Sequence, residues 1–313
     1  MYLGVDLGGT NIAAGLVDNN LSIIQKDSIK TSDYKSDVDI VKGITNLCAK
    51  LLYDARVDIS SVKWMGIGFP GTPDVKEGRC IYANNLAMRN TPIRDWIQKA
   101  LPLPVFLEND ANCAALGETY AGATKGADNS LMITIGTGIG GGIIINKKIY
   151  SGFNNAGGEL GHTVIIVDGK KCTCGRKGCW EVYGSAGALT EQTKEAIIKN
   201  PDSILSGMAG GDIDNVTGKT AFDAMRADCP IGAGVVRQYI KYFGAGIVNM
   251  INIFQPEILV LGGGVSKEGD YLLKPLIKIV ENEVYSRDVL QTQIAIASLG
   301  NDAGIIGAAA LGL

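Results

Sequence analysis

Short apolar runs ending in glycine turns alternate along this chain with longer stretches of helical period. Residues 2–6 and 12–17 are apolar runs of strand length, joined by Gly8-Gly9-Thr10-Asn11. That spacing predicts a hairpin. The design returns at residues 131–145, LMITIGTGIGGGIII, with Gly136-Thr137-Gly138 at the turn. A further strand, 258–261, is followed by Gly262-Gly263-Gly264 leading towards a helix. Residues 37–53 place Ile40, Val41, Ile44, Leu47, Cys48, Leu51 and Leu52 on one stripe, which predicts a core-facing helix. A short strand at 65–68 ends in FPGTPD, and Thr91-Pro92 reads as cap and first-turn proline of a helix to residue 100. The strand 105–107 runs directly into Glu108-Asn109-Asp110-Ala111-Asn112 and a helix of small residues. Helices are expected at 185–199, 220–227 and 232–254, the last stopped by Pro256. A strand at 293–298 and a helix at 303–311, with Asp302 as N-cap, close the chain. Strands alternating with helices make this an α/β protein.

The two glycine–threonine hairpins, each heading an α/β half, suggest an internal duplication with both loops facing one phosphate chain. Glycines permit the turn and let amide N–H groups face an anion. A hairpin follows each first strand, rather than a helix, so neither loop is a Walker loop or a dinucleotide fingerprint. The third glycine site, strand–glycine–helix, suits a nucleotide's sugar or base at the end of a sheet.

A length of 313 residues allows one large or two medium domains, and 46% hydrophobic with 19% charged residues is the balance of a globular chain. No linker divides it, and the domain boundary is expected near residues 121–129. A net charge of -3 offers no basic field, which argues against nucleic acid or an anionic membrane as partner. The N-terminus lacks the basic region of a signal peptide, and the longest apolar run is too short and glycine-rich to span a bilayer. Cys48, Cys80, Cys113 and Cys229 are scattered singly, which fits a reducing cytoplasm better than a disulfide framework.

Residues 157–181, GGELGHTVIIVDGKKCTCGRKGCWE, hold the only histidine and three of the seven cysteines. His162, Cys172, Cys174 and Cys179 form the Cys3His set that zinc takes in closed structural sites. Buried free cysteines would not need the charged and glycine residues of CGRKGC between them. Two carboxylates, Glu159 and Glu181, bracket the cluster.

Asp110 sits at a strand end and a helix start, where α/β proteins expose their chemistry. A helix cap is the plain alternative, for which Asn109, Asp110 and Asn112 all qualify. Phosphoryl transfer to an alcohol needs one carboxylate to orient and deprotonate the hydroxyl, beside a cradle for the phosphates. Asp110 can be the first and the glycine hairpins the second. Asn109, Glu159 and Glu181 then suit a polyol, since amides and carboxylates present several acceptors.

DLGGTN at 6–11, ENDAN at 108–112, IGTGIGGG at 135–142, GGELGH at 157–162, CTCGRKGCWE at 172–181 and LGGGVS at 261–266 together resemble the ROK family of repressors and sugar kinases. The resemblance covers essentially the whole chain, and its look is nearest to the family's ATP-dependent glucokinases. It implies a two-domain actin–hexokinase-like (ribonuclease H-like) α/β fold with a central cleft and an inserted zinc loop. The N-terminal domain would be 1–120 with a returning C-terminal helix 302–313, and the second domain 121–301. The resemblance also implies ATP, Mg2+ and structural Zn2+. Asp110 would be the general base on the 6-hydroxyl of a hexose. Gly71, Asn109, Glu159, His162 and Glu181 would contact the sugar, with Asn84 in a looser match. Gly8, Gly9, Thr10, Asn11, Gly136, Thr137 and Gly138 would hold phosphates, Asp6 would help place magnesium, and Gly262, Gly263 and Gly264 would lie near the nucleoside. His162 would use one ring nitrogen for zinc and the other for a sugar hydroxyl. A homo-oligomer, dimer or tetramer, is the expected assembly. Glucose is the leading substrate, with N-acetylmannosamine, N-acetylglucosamine, fructose and allose as rivals. A transcriptional regulator of the family is disfavoured, because its helix-turn-helix domain would precede a hairpin that here begins at Tyr2. A sugar-binding protein without catalysis is disfavoured because Asp110 is present.

Overall fold

A computed structural model describes residues 1–83, 86 and 88–313. The first sheet is built from β1 (Tyr2–Leu7), β2 (Asn11–Val17), β3 (Ile23–Lys30), β4 (Met65–Phe69) and a later strand. Three short strands follow β4: β5 (Thr72–Asp74), β6 (Arg79–Ala83) and β7 (Met88–Thr91), which pair antiparallel in a sheet of their own. The fifth strand of the first sheet is β8 (Val105–Asn109), giving the order β3-β2-β1-β4-β8. Its first three strands are antiparallel, whereas β1, β4 and β8 run parallel. The second sheet uses β9 (Ser130–Ile135), β10 (Ile139–Ile145), β11 (Lys148–Ile149), β12 (Ile258–Gly263) and β13 (Gln293–Ile296), in the order β11-β10-β9-β12-β13. Both sheets therefore read third-second-first-fourth-fifth, and the duplication expected from the two hairpins is present in the topology.

Contacts divide the chain into two compact units, one of residues 1–132, 142–158 and 297–313, the other of residues 133–141 and 159–296. In the first unit, α1 (Asp37–Asp54) buries the expected stripe, with Ser36 Oγ accepting from the Asp39 amide at its start. The short helix α2 (Ile93–Ala100) lies beside β8, and α3 (Asp110–Ala121) follows β8 directly. Among the other helices, α4 (Glu181–Gly184), α5 (Ala186–Lys199), α6 (Ile204–Met208), α7 (Thr220–Arg226), α8 (Pro230–Phe254) and α9 (Asp270–Glu283) belong to the second unit. The last helix, α10 (Ala303–Ala310), packs on α3, β1 and β4 of the first unit. Gly4 and Gly66 make that approach possible, since a side chain at either would collide with the backbone of Ile305 or Ala308.

Four local expectations are corrected. The strand β3 was not anticipated: its IIQKDSIK alternates half-buried and exposed positions and carries the charges of Lys26, Asp27 and Lys30, as edge strands often do. Thr91 does not cap α2; it ends β7, and its hydroxyl donates to Asp37 Oδ2 at 2.8 Å. Asp302 makes no side-chain cap, because its carboxylate pairs with Lys26 at 2.5 Å. Strand β13 stops at Ile296 rather than 298, because Glu118 takes the groups beyond it. The fully buried Glu118 carboxylate accepts from the Leu299 amide at 2.8 Å, Ser298 Oγ at 3.2 Å and the Ala123 amide at 2.6 Å. No helix among the described residues is long and apolar enough to cross a membrane.

Candidate active site

Register sets the candidate groups of the first unit. Asp6 on β1 lies opposite Gly68 on β4, which lies opposite Glu108 on β8, so their carboxyl ends finish level. The turn after β8 is then shaped by its own side chains. Asn109, not Asp110, is the helix cap: its Oδ1 accepts from the amides of Ala111 at 2.9 Å and Asn112 at 3.3 Å. Asn109 Nδ2 donates to the Gly71 carbonyl at 3.3 Å, which ties the two residues expected to meet a sugar. Glu108, which the sequence reading left without a role, accepts from the Asn109 amide at 2.8 Å and Asn112 Nδ2 at 3.0 Å. Asp110 is thereby released from capping, although its Oδ1 still accepts from the Ala111 amide at 2.9 Å. Burial raises the Asp110 carboxyl above its ordinary range, and the Ala111 amide opposes this less strongly. Asn84 lies outside the described residues.

Asp6 faces the same charge. Its carboxyl is pushed up to about 6, first by burial and then by the negative charge of Asp110. The N-terminal turn of α10 gives it room, since a side chain at Gly304 would strike its carboxylate. Asp6 is a half-buried hard oxygen donor beside a second negative charge, which fits a magnesium ion. Stability should report the strain. A carboxyl with a raised folded pKa contributes stability below its unfolded value near 3.8, and that contribution is lost as pH rises through about 6. The metal-free protein at neutral pH thus carries a penalty on the order of 3 kcal/mol. Asp6→Asn is expected to raise the denaturation midpoint at pH 7.5, to change it far less at pH 4, and to abolish turnover. An unchanged midpoint at pH 7.5 would mean that Asp6 is not strained.

The glycine hairpin of Gly8 to Asn11 is closed by the Gly8 amide donating to the Asn11 carbonyl at 2.9 Å. Thr31 clamps it from β3's end, with Oγ1 donating to the Gly8 carbonyl at 2.7 Å and its amide to the Thr10 carbonyl at 2.9 Å. Gly9, Thr10 and Asn11 stay exposed.

In the second unit the Gly136-Thr137-Gly138 hairpin closes in the same way, the Gly136 amide donating to the Gly138 carbonyl at 3.0 Å. Two further elements meet it. The Ala186 amide at the start of α5 donates to the Gly136 carbonyl at 2.9 Å, so the positive end of a 14-residue helix adjoins the turn. Gly263, at φ +89°, sits against the backbone of Ile135, which brings Gly262 to Gly264 beside the hairpin. The helix after these glycines begins only at Asp270, because Val265–Glu268 first makes a 3-10 turn. Ser185, the first residue of the expected helix, is instead the cap of α5, and Arg226, which had no expected role, pairs with the buried Glu268 of that turn. A serine ahead of a helical stretch was the available signal for the cap.

The Cys3His group is assembled as expected. The ligand atoms of His162, Cys172, Cys174 and Cys179 all lie within 4.8 Å of one another. His162 Nδ1 is 3.6 Å from Cys172 Sγ, and the sulfurs of Cys174 and Cys179 are 3.7 Å apart. A zinc tetrahedron with Zn–S of ~2.3 Å has S–S edges of ~3.8 Å, so the donor set fits that ion. Gly175 at φ +92° and Gly178 at φ +78° turn the loop as the sequence required. Since Nδ1 faces the sulfurs, the other ring nitrogen of His162 remains for a second partner. Glu159 precedes the 3-10 turn Leu160–His162 and is exposed, while Glu181 opens α4 with Oε1 at 3.9 Å from Cys172 Sγ.

Known proteins match the whole chain. The profile described as the ROK family covers residues 2–313. A glucokinase of Halalkalibacterium halodurans is 38% identical, over 98% of this chain and 93% of that protein. The crystal structure of a ROK family glucokinase from Streptomyces griseus, in complex with glucose and AMPPNP, has a TM-score of 0.83 at 36% identity, covering 99% of this chain and 98% of that one. A xylose repressor of Caldicellulosiruptor bescii is 26% identical over 99% of this chain and 77% of its own length.

Proposed function

Because the chain belongs to the ROK family, we propose that it is an ATP-dependent hexokinase that phosphorylates the 6-hydroxyl of a hexose, glucose above others. Asp110 carries the proposal. It stands at the mouth of the parallel strands, spared from capping by Asn109, and burial makes it a better base than an ordinary carboxylate.

The sugar's O6 loses its proton to Asp110 and bonds to the γ-phosphorus. The bond from that phosphorus to the β–γ bridging oxygen breaks, its electron pair leaves with ADP, and Asp110 passes the proton to solvent. A loose transition state makes orientation as useful as basicity. The hairpins Gly8 to Asn11 and Gly136 to Gly138 would offer amides to the phosphates, with Gly262 to Gly264 near the nucleoside. When bound, magnesium neutralises charge on the phosphates, and Asp6 would hold it. Gly71, Asn109, Glu159, His162 and Glu181 would bind hydroxyls, and zinc in the Cys3His group would fix the loop that bears the last two. The names of the relatives support glucose: the Halalkalibacterium protein is a glucokinase, and the Streptomyces structure contains glucose.

A coupled assay over glucose, N-acetylmannosamine, N-acetylglucosamine, fructose and allose tests the choice of substrate. The kcat/KM for glucose should exceed the others by at least ~10-fold, the discrimination one substituent can give in a pocket. Preference for an N-acetylhexosamine would overturn glucose and leave the kinase standing. No turnover with any sugar would favour the regulator reading, which the similarity to a xylose repressor supports.

A further inference from the structure

Glu181 has partners beyond a sugar hydroxyl. Its Oε2 accepts from the Ile139 amide at 3.0 Å, the first amide of β10 after the Gly136 to Gly138 turn. The carboxylate lies so close to Gly138 that any side chain there would strike Oε2. The hairpin, with glycines at 136 and 138, has little side-chain packing to hold one shape. Its entry side is held by the Ala186 amide and its exit side by Glu181.

Glu181 in turn is held firmly. It follows Cys179 and Trp180, and Trp180 is fully buried, stacked on Phe243 at 5.4 Å with its amide donating to the Thr163 carbonyl at 2.7 Å. Tyr239 Oη donates to the Gly184 carbonyl at the far end of α4, at 2.9 Å. Gly161, between the Glu159 and His162 positions, packs on the backbone of Ile139. Ile139 is thus where the hairpin, the Cys3His loop and the GELGH segment meet.

We propose that Glu181 is a positioning residue for the nucleotide: through the Ile139 amide it holds the Gly136 to Gly138 hairpin in the shape that receives phosphate, whether or not sugar is present. This rests on the assignment of that hairpin to the phosphates in the proposed function. A role confined to the sugar would leave nucleotide affinity untouched when no sugar is added.

The test is calorimetry on the full chain with a non-hydrolysable ATP analogue and magnesium, without sugar, alongside metal content and circular dichroism. Glu181→Ala removes the acceptor and is expected to weaken the analogue by at least ~10-fold, the scale of losing a hydrogen bond to a charged group. Glu181→Gln keeps an oxygen for Ile139 and is expected to stay within ~3-fold of the native protein, since only the charge is lost. Should the alanine variant not fold, Glu181→Asp, whose acceptor is drawn back by one methylene, is expected to weaken binding as well. Native affinity in folded Ala or Asp variants overturns the proposal, and so does a folded Gln variant as weak as Ala is expected to be. Failure of the native protein to bind the analogue would instead overturn the phosphate assignment. In steady state the Gln variant should raise KM for sugar while leaving KM for ATP near native, which separates the two roles.

Discussion

Replacing Asp110 by asparagine is expected to lower kcat by at least ~10²-fold while the protein stays folded, the lower end of what a general base contributes. The folding half of this expectation comes from Asn109, which already caps α3 through the amides of Ala111 and Asn112. The asparagine's own carbonyl can keep the bond from the Ala111 amide that Asp110 Oδ1 now accepts. Stability should even improve slightly at neutral pH, since burial disfavours the carboxylate and removal of its charge relieves Asp6. The loss falls on chemistry, because an amide cannot take the hydroxyl proton. Turnover at saturating sugar and ATP, compared with the melting temperature, separates these effects. A folded variant with near-native turnover would remove Asp110 from the mechanism and turn attention to Glu159 or Glu181.

Metal removal has the second large effect. The purified protein is expected to carry one zinc ion per chain, and Cys172→Ser should lose it. Structural zinc supplies on the order of 10 kcal/mol of binding free energy to the loop it closes. Even a third of that, lost from the folded state, would lower the melting temperature by about 5 °C in a chain of this size. Turnover should fall further than stability requires, because His162 and Glu181 take their positions from the same loop. Elemental analysis with melting curves, before and after chelation, reads both. A metal-free preparation that melts normally and ignores chelators would show that the four ligands pack without an ion.

The sequence was most informative where chemistry is local. The Cys3His ligands fall within 18 residues, and the glycines that bring the sulfurs together lie between them, so the group could be read before any fold was known. Both hairpins were legible from glycines set between apolar runs, and their repetition anticipated the matching strand orders of the two sheets. Contacts between distant segments were not legible. Nothing in the local pattern marks Glu118 as the clamp on residues 298–299, 180 positions away in sequence. Asp302 and Thr91 have ideal capping chemistry, and lost that role to Lys26 and Asp37, which tertiary packing brought within reach. At Asp110, the sequence offered two roles, helix cap and general base. Only the three-dimensional surroundings place the cap on Asn109, whose Oδ1 accepts from the amides of Ala111 and Asn112.

The most direct measurement of the central claim is product analysis after incubating the protein with glucose, ATP and magnesium. Phosphorus NMR and mass spectrometry should show glucose 6-phosphate and ADP forming one for one, with no inorganic phosphate beyond a trace. Phosphate release without a sugar ester, an ester at another carbon, or no consumption of ATP would each contradict a hexose 6-kinase.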